Sequence, residues 1–289
     1  MIKNFFDKNI EIFMYNRISK RYLKNSIDKW AMITGCTSGI GKSFSEELAN
    51  IGFNVVLISR NLSKLEIQAK EIESKYKVKT KIIQFDFTHD ILSDKSKFDW
   101  FKLQLKEISS VNLLVNNVGN ASIGPFQDFS PPFNADIIKI NIISYVNITQ
   151  AFLEINKQSN DKLGIINIGS YYGTRNIPYV NVYSSSKAFI NNFSLSLSFE
   201  NPNIDILCVA PLWVSTKMTR AKPSFFVVEP RNIVISSLLK IGISNFTYGN
   251  WRHSILAKFF NLIPDFIFSR FMISYYRKIY KILKRIKRL

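Results

Sequence analysis

The chain alternates short apolar runs with longer helical patterns, and this alternation restricts the possible folds more than any other feature. Six short runs read as strands, and most of them are apolar on consecutive positions, which is typical of strands buried on both faces of a parallel sheet. They span residues 30–34, 54–59, 80–86, 112–116, 164–170 and 204–210. Helical patterns occur at residues 43–50, 62–76, 95–109, 135–156 and 182–199. Repeated βα units predict an α/β fold, a single Rossmann-type, doubly wound parallel sheet with helices on both faces.

Three segments follow from this pattern. Residues 30–250 form the predicted sheet domain, residues 1–29 precede it as a basic amphipathic arm, and residues 251–289 follow it as an apolar and basic tail. Residues 215–230 contain two prolines and read as an irregular lobe over the carboxyl edge of the sheet, where ligands bind in such folds.

The charge of the chain is strongly positive, with a formal net charge of +18 from 39 basic and 21 acidic residues. The tail from Trp251 carries ten Lys or Arg against one Asp, and these charges alternate with Phe, Ile, Leu and Tyr. That mixture is typical of a segment lying on an anionic membrane surface. No nucleic-acid-binding signature accompanies it, so nucleic acid is not a predicted partner. The alternative is a C-terminal helix that packs on the domain or on a sister subunit.

The arm and the cysteines give weaker signals. Charges interrupt the apolar residues of the first 24 positions, which excludes a secretory signal and a membrane span. The arm is therefore either a short amphipathic helix on a bilayer or a basic arm folded against the domain. Cys36 and Cys208 lack metal-ligand spacing, so we predict two reduced, packed thiols and no metal site.

A glycine-containing loop directly follows the first predicted strand and opens a helix. Glycines let a backbone turn tightly and approach a pyrophosphate, and a helix N-terminus offers free N–H groups with the positive end of the dipole. The position after the first strand therefore favours a dinucleotide cofactor over an ordinary βα turn. The predicted contacts are Gly35, Thr37, Ser38, Gly39, Ile40 and Gly41.

The end of the second strand indicates which dinucleotide is bound. An acidic residue at this position holds the ribose hydroxyls of NAD, whereas a basic residue suits the 2′-phosphate of NADP. The sequence has Arg60 here and no acid. A guanidinium pairs well with phosphate, so we predict NADPH/NADP+ as the cofactor. A solvated surface arginine is the alternative.

Tyr183 and Lys187 are four positions apart on a predicted helix, so they share a face. A Tyr hydroxyl ionises near pH 10, and a nearby ammonium lowers that pKa, so the pair can exchange a proton near neutral pH. Ser170 lies thirteen positions upstream at the end of a strand, where it can donate a hydrogen bond to a substrate carbonyl.

Together, the glycine loop, the Asn-Asn-Val-Gly run from Asn116, Asn141, Ser170 and the Tyr183–Lys187 pair resemble the classical short-chain dehydrogenase/reductase family. The resemblance covers about residues 30–250 and implies a catalytic tetrad of Asn141, Ser170, Tyr183 and Lys187. It further implies cofactor contacts from Asp86, Tyr183, Lys187, Val214 and Thr216. Asn116 is also implied at the cofactor site, where it would steady the central sheet. The sequence departs from the family pattern at Leu212, where a glycine often follows the proline.

A narrower resemblance concerns residues 55–65, 81–88 and 183–189 and the Leu-Ile-Pro run at 262–264. These are similar to the branch of 17-beta-hydroxysteroid dehydrogenases types 3 and 12 and very-long-chain 3-oxoacyl-CoA reductases. It implies NADPH-dependent reduction of a lipophilic carbonyl substrate, either a 3-oxoacyl-CoA in fatty-acid elongation or a steroid ketone. It also implies an endoplasmic reticulum membrane location with a cytosolic catalytic domain, and dimerisation is common in the family. A protein of another class, a non-catalytic NADP-binding protein or a membrane-surface scaffold, is the rival interpretation.

Overall fold

The computed structural model describes residues 2–24, 28–90, 95–108 and 110–285. Seven parallel strands form one sheet in the order β3-β2-β1-β4-β5-β6-β7. The strands are β1 (Trp30–Thr34), β2 (Asn54–Ser59), β3 (Thr80–Gln84), β4 (Val111–Asn116), β5 (Gly164–Ile168), β6 (Asp205–Val209) and β7 (Phe246–Thr247). The predicted doubly wound sheet is confirmed. The two-residue β7 was not predicted, because so short a strand has no periodicity.

Ten α-helices connect and flank the strands in the described residues. They are α1 (Ile2–Tyr22), α2 (Gly39–Ile51), α3 (Leu62–Tyr76), α4 (Lys95–Lys106), α5 (Pro131–Ile138), α6 (Ser144–Ile155), α7 (Asn181–Glu200), α8 (Pro230–Lys240), α9 (Trp251–Asn261) and α10 (Asp265–Arg285). One face of the sheet packs against α1, α2, α3 and α8, and the other packs against α4 and α6. The helix predicted over residues 135–156 is a continuous run in which a π-helical turn, Lys139–Ile143, joins α5 to α6.

The basic arm folds against the domain. Met14, Ile18 and Tyr22 of α1 are buried in the same core as α2 and α8. Arg17 donates hydrogen bonds to two carbonyls at the end of α8, and Arg21 pairs with Asp205 at the start of β6. Of the two alternatives for the arm, the structure shows the folded one.

The tail forms a helical hairpin, α9 and α10, that packs on the domain with one side. Phe268, Met272 and Tyr276 of α10 are buried against Tyr171 and Tyr172 after β5. The side that faces away carries exposed aromatic and aliphatic residues. Within the described ranges, no helix combines the length and the apolar character that crossing a bilayer requires.

Candidate active site

The glycine loop lies between β1 and α2, and its geometry explains its glycines. Gly35 and Gly39 have φ angles of 64° and 54°, in the left-handed region that a Cβ disfavours. A Cβ on Gly41 would lie 2.4 Å from both Asn117 Nδ2 and the Gly35 carbonyl oxygen. The loop can therefore bring backbone N–H groups at the start of α2 close to a bound pyrophosphate.

A cleft of about 470 Å³ opens in front of this loop, at the carboxyl edge of the sheet. Most of the predicted site residues line it, although they come from six regions of the chain. These residues are Gly35, Thr37, Ser38, Gly39, Ile40, Arg60, Asp86, Ser170, Tyr183, Lys187, Val214 and Thr216. Gly41, Asn116 and Asn141 do not line the cleft.

Asn116 and Gly41 lie outside the residues that line the cleft, so their contacts with a cofactor stay predictions. The amide of Asn116 is buried in the sheet, where Nδ2 donates to Thr149 Oγ1 and to Asn167 Oδ1, both at 3.0 Å. Gly41 instead gives α2 room to approach Asn117. Asn117 was missed, although it lines the cleft and its Nδ2 donates to the carbonyls of Thr34 and Gly35 at 3.0 and 3.1 Å.

Arg60 and Asp86 stand at the end of the cleft that the second and third strands form. Arg60 is exposed, and Lys64, one turn into α3, lines the same region. Burial alone would raise the pKa of Asp86, but hydrogen bonds from the Thr88 hydroxyl and backbone N–H hold that pKa below its ordinary value. Asp86 is therefore an acceptor, and Arg60 is a cation that can approach a phosphate.

Ser170 and Tyr183 meet at the other end of the cleft. Asn191 on α7 fixes the Ser170 backbone, since its Nδ2 donates to the Ser170 carbonyl at 3.0 Å. Burial raises the pKa of Tyr183, and a hydrogen bond with Ser170 partly offsets the rise. The hydroxyl is therefore protonated at neutral pH and can donate to a substrate oxygen. Asn191 was missed, because an Asn inside a helical pattern carries no distinguishing signal.

Lys187 lies one turn after Tyr183, and its ammonium is enclosed. Its Nζ donates to the Ile168 carbonyl at 2.8 Å and lies 5.2 Å from the ring centroid of Tyr145 and 6.0 Å from that of Tyr183. Burial lowers the pKa of Lys187 to about 8. In this structure desolvation raises the pKa of Tyr183, and the lowering of that pKa by Lys187 stays a prediction.

Asn141 is buried behind the cleft wall, inside the π-helical turn. Its Nδ2 donates to Ser186 Oγ at 2.8 Å and to the Asn120 carbonyl at 2.9 Å, and its Oδ1 accepts from the Asn120 N–H. A Cβ on Gly119 would lie 3.4 Å from Asn141 Oδ1 and 3.6 Å from Lys187 Nζ. Asn141 thus holds the wall next to Lys187, and its own side-chain amide is occupied.

A contact that the sequence did not predict joins α10 to the residues that follow Ser170. Tyr276 of α10 donates from its hydroxyl to the Tyr172 hydroxyl at 2.6 Å, and Trp213 Nε1 donates to the same oxygen at 3.0 Å. Tyr172 is two residues after Ser170. The C-terminal helix therefore forms part of the aromatic cluster that packs against Tyr183.

Arg175 fastens the hairpin to this region. Its guanidinium donates to the carbonyls of Phe260 and Ile263 at 2.6 and 2.8 Å and pairs with Asp265. It also lies 4.6 Å from the ring centroid of Phe268. One arginine thus binds the turn between α9 and α10, which places Tyr276 against Tyr172.

Comparison with known proteins agrees with this geometry. The family model for short chain dehydrogenase matches residues 29–225. The human "Very-long-chain 3-oxoacyl-CoA reductase" is 32% identical over 255 residues, covering 86% of this chain and 80% of that protein. The "17-beta-hydroxysteroid dehydrogenase type 3" of Rattus norvegicus is 38% identical over 249 residues, covering 84% of this chain and 79% of that protein.

Solved structures share the fold. A 7beta-hydroxysteroid dehydrogenase aligns with a TM-score of 0.78 at 20% identity, over 88% of this chain and 98% of that one. A short-chain dehydrogenase from Sphingobium yanoikuyae in complex with NADPH aligns with a TM-score of 0.66 at 25% identity, over 73% of this chain and 83% of that one. Since the family model and the curated relatives each cover most of the sequence, the chain belongs to the short-chain dehydrogenase family and is an oxidoreductase that uses a nicotinamide cofactor.

Proposed function

We propose that the protein is an NADPH-dependent carbonyl reductase whose substrate is a very-long-chain 3-oxoacyl-CoA. The observation that carries the proposal is the convergence of Ser170, Tyr183 and Lys187 in one cleft with the glycine loop and Arg60. A non-catalytic binding protein would not require a buried lysine beside a protonated tyrosine, because burying an ammonium costs free energy.

The cleft fits a nicotinamide dinucleotide. The left-handed glycines and the start of α2 would hold the pyrophosphate, and Asp86 would accept a hydrogen bond from the adenine. The preference for NADP(H) is supported by Arg60 and Lys64, which give this end of the cleft positive charge, with no acid at the end of β2. Val214 and Thr216 would contact the nicotinamide end.

The bound cofactor supplies the hydride. Ser170 and Tyr183 orient the substrate carbonyl, and the Tyr183 hydroxyl donates the proton that the developing alkoxide needs. Lys187 places a cation beside Tyr183, which favours the phenolate once the proton has left. Asn141 keeps the wall between Asn120 and Ser186 in place, and the resemblance assigns it a supporting water.

Two lipophilic substrate classes are compatible with this site. Several relatives at 32–36% identity are very-long-chain 3-oxoacyl-CoA reductases. The steroid alternative is favoured by the 38% identity to the rat 17-beta-hydroxysteroid dehydrogenase. The aromatic cluster of Tyr172, Trp213 and Tyr276 packs against Tyr183 and makes its surroundings apolar, which suits a substrate of either class. We further propose an endoplasmic reticulum membrane location with a cytosolic catalytic domain, and a homodimer as its assembly.

The test is NADPH oxidation by the detergent-purified protein, with a long-chain 3-oxoacyl-CoA in one assay and a 17-ketosteroid in the other. Tyr183→Phe serves as the inactive control, and Tyr76→Phe, at the end of α3, as the matched hydroxyl deletion outside the cleft. Turnover of the acyl-CoA that requires Tyr183 supports the proposal. Turnover of the steroid alone makes the protein a hydroxysteroid dehydrogenase, and turnover of neither would overturn the substrate assignment.

A further inference from the structure

The α9–α10 hairpin carries an apolar stripe with no partner among the described residues. Trp251, Ile255, Phe259 and Leu262 recur on one side of α9 and its C-terminal turn, and their exposed fractions are 58%, 56%, 58% and 83%. The first and last lie about 16 Å apart along the helix axis at 1.5 Å per residue. Phe225 extends the stripe, since its ring centroid lies 6.0 Å from that of Trp251. A contiguous exposed apolar surface on one face of a helix marks an interaction surface.

The position of the stripe is set from inside the molecule. His253 and Ala257 of α9 are buried, with His253 Nδ1 accepting a hydrogen bond from the Leu212 N–H at 3.3 Å. The Arg175 contacts hold the turn that follows the helix. The stripe is therefore a fixed face of the folded domain.

Cations frame the stripe without matching carboxylates. The Arg252 guanidinium lies 4.8 Å from the ring centroid of Phe225 and 5.5 Å from that of Trp251. Lys258 lies on α9 itself, and Arg270 is exposed on α10. The single acid of the tail, Asp265, is already paired with Arg175. Across the described part of the chain, none of these three cations forms an ion pair with a carboxylate.

We propose that this stripe, Trp251–Leu262 with Phe225, docks on the surface of an anionic bilayer, with α9 lying flat in the interface. Aromatic residues between cations match the boundary between acyl chains and anionic headgroups. A second copy is disfavoured as the occupant, because two such faces would bring unpaired cations together. Docking of this kind does not require a helix that crosses the bilayer, and the described helices include no candidate span.

The other side of the same hairpin connects this surface to the active site. Tyr276 contacts Tyr172, which is two residues after Ser170. Docking on the stripe would therefore hold the substrate side of the cleft near the leaflet in which a long acyl chain dissolves. The benefit of placing the cleft near the leaflet rests on the proposed function, whereas the docking of the stripe does not.

The experiment is sedimentation of the detergent-free protein with phosphatidylcholine vesicles containing about 30% phosphatidylserine. The variant Ile255→Asn/Phe259→Asn removes two exposed apolar side chains, and we expect the partition coefficient to fall by at least about tenfold. The matched control is Phe199→Asn/Ile243→Asn, whose side chains are 80% and 72% exposed and precede β6 and β7, whereas α9 follows β7. The control should bind like the unmodified protein.

Two outcomes would overturn the proposal. One is that the stripe variant binds vesicles as well as the unmodified protein does, so that another surface docks. The other is that the protein does not bind vesicles but forms a dimer that the stripe variant abolishes. Turnover of a short, water-soluble 3-oxoacyl-CoA, measured in the same preparations, should be equal in both variants. If no preparation turned over this 3-oxoacyl-CoA, the result would count against the proposed substrate and would not affect the docking result.

Discussion

The two sides of the cleft are built in different ways. The cofactor side is built around one short stretch of backbone, the glycine loop, in which Gly35 and Gly39 have left-handed φ angles. The substrate side rests on an aromatic cluster behind Tyr183, whose side chains are far apart in sequence: Tyr276 contacts Tyr172 across 104 positions. A local motif can reveal the first kind of construction, whereas the second exists only after the chain has folded. Four predictions test this division.

Replacing Lys187 with Met should reduce turnover more than the other substitutions do, because the ammonium lies between the cofactor side and the substrate side of the cleft. We expect turnover to fall by about 10²–10⁴-fold. The pKa of Lys187 is lowered to about 8, so its charged form is present below that pH and is lost above it. In the unmodified protein, the reductase rate should therefore decrease as pH rises through about 8. A pH–rate profile measures this, and a flat profile between neutrality and mildly alkaline pH would contradict the assigned role.

Replacing Arg60 with Ala should affect the cofactor side alone. Loss of a charge-assisted contact with the 2′-phosphate should raise the KM for NADPH by about 10–100-fold and leave the KM for NADH nearly unchanged. Lys64→Ala is the matched control, because Lys64 lines the same end of the cleft and we expect a smaller shift. Equal changes in the KM for NADPH and the KM for NADH would show that Arg60 does not bind the 2′-phosphate.

Replacing Arg175 with Ala should affect the substrate side and the stability of the hairpin. The side chain is nearly buried and donates to two carbonyls, so its loss should lower the free energy of unfolding by about 2–3 kcal/mol. Asp265→Asn keeps both carbonyl bonds and removes an exposed partner, so its cost should stay below about 1 kcal/mol. Urea unfolding measures both variants. Equal losses in the two would mean that the ion pair, not the carbonyl bonds, fastens the turn.

The same division explains which predictions succeeded. The run at residues 54–59 and the helical pattern at 62–76 match β2 and α3, because buried parallel strands and amphipathic helices have periods that sequence displays. The 135–156 pattern hid the π-helical turn around Asn141, since one inserted residue barely disturbs a helical period. Asn116 was expected to steady the central sheet near the cofactor, but its partners Thr149 and Asn167 could not be predicted, because they come from other elements.

The tail also has a feature that its sequence could not predict. Its composition indicated a membrane surface, and the exposed stripe on α9 keeps that interpretation as a proposal. Composition could not show that Phe268, Met272 and Tyr276 turn inward against residues 171–180. Amphipathic helices look alike in sequence whether their apolar side meets lipid or protein, so only the folded structure distinguishes the two sides of α10.

The most direct test of the catalytic assignment is a paired measurement on Tyr183→Phe, namely NADPH affinity by calorimetry and NADPH oxidation with a carbonyl substrate. Phe lacks the hydroxyl that donates the proton but keeps the ring in the cleft. We predict unchanged NADPH affinity and turnover reduced by at least about 10²-fold, with Tyr76→Phe unaffected in both measurements. Full turnover by Tyr183→Phe would contradict the account, because the proton would then come from another group.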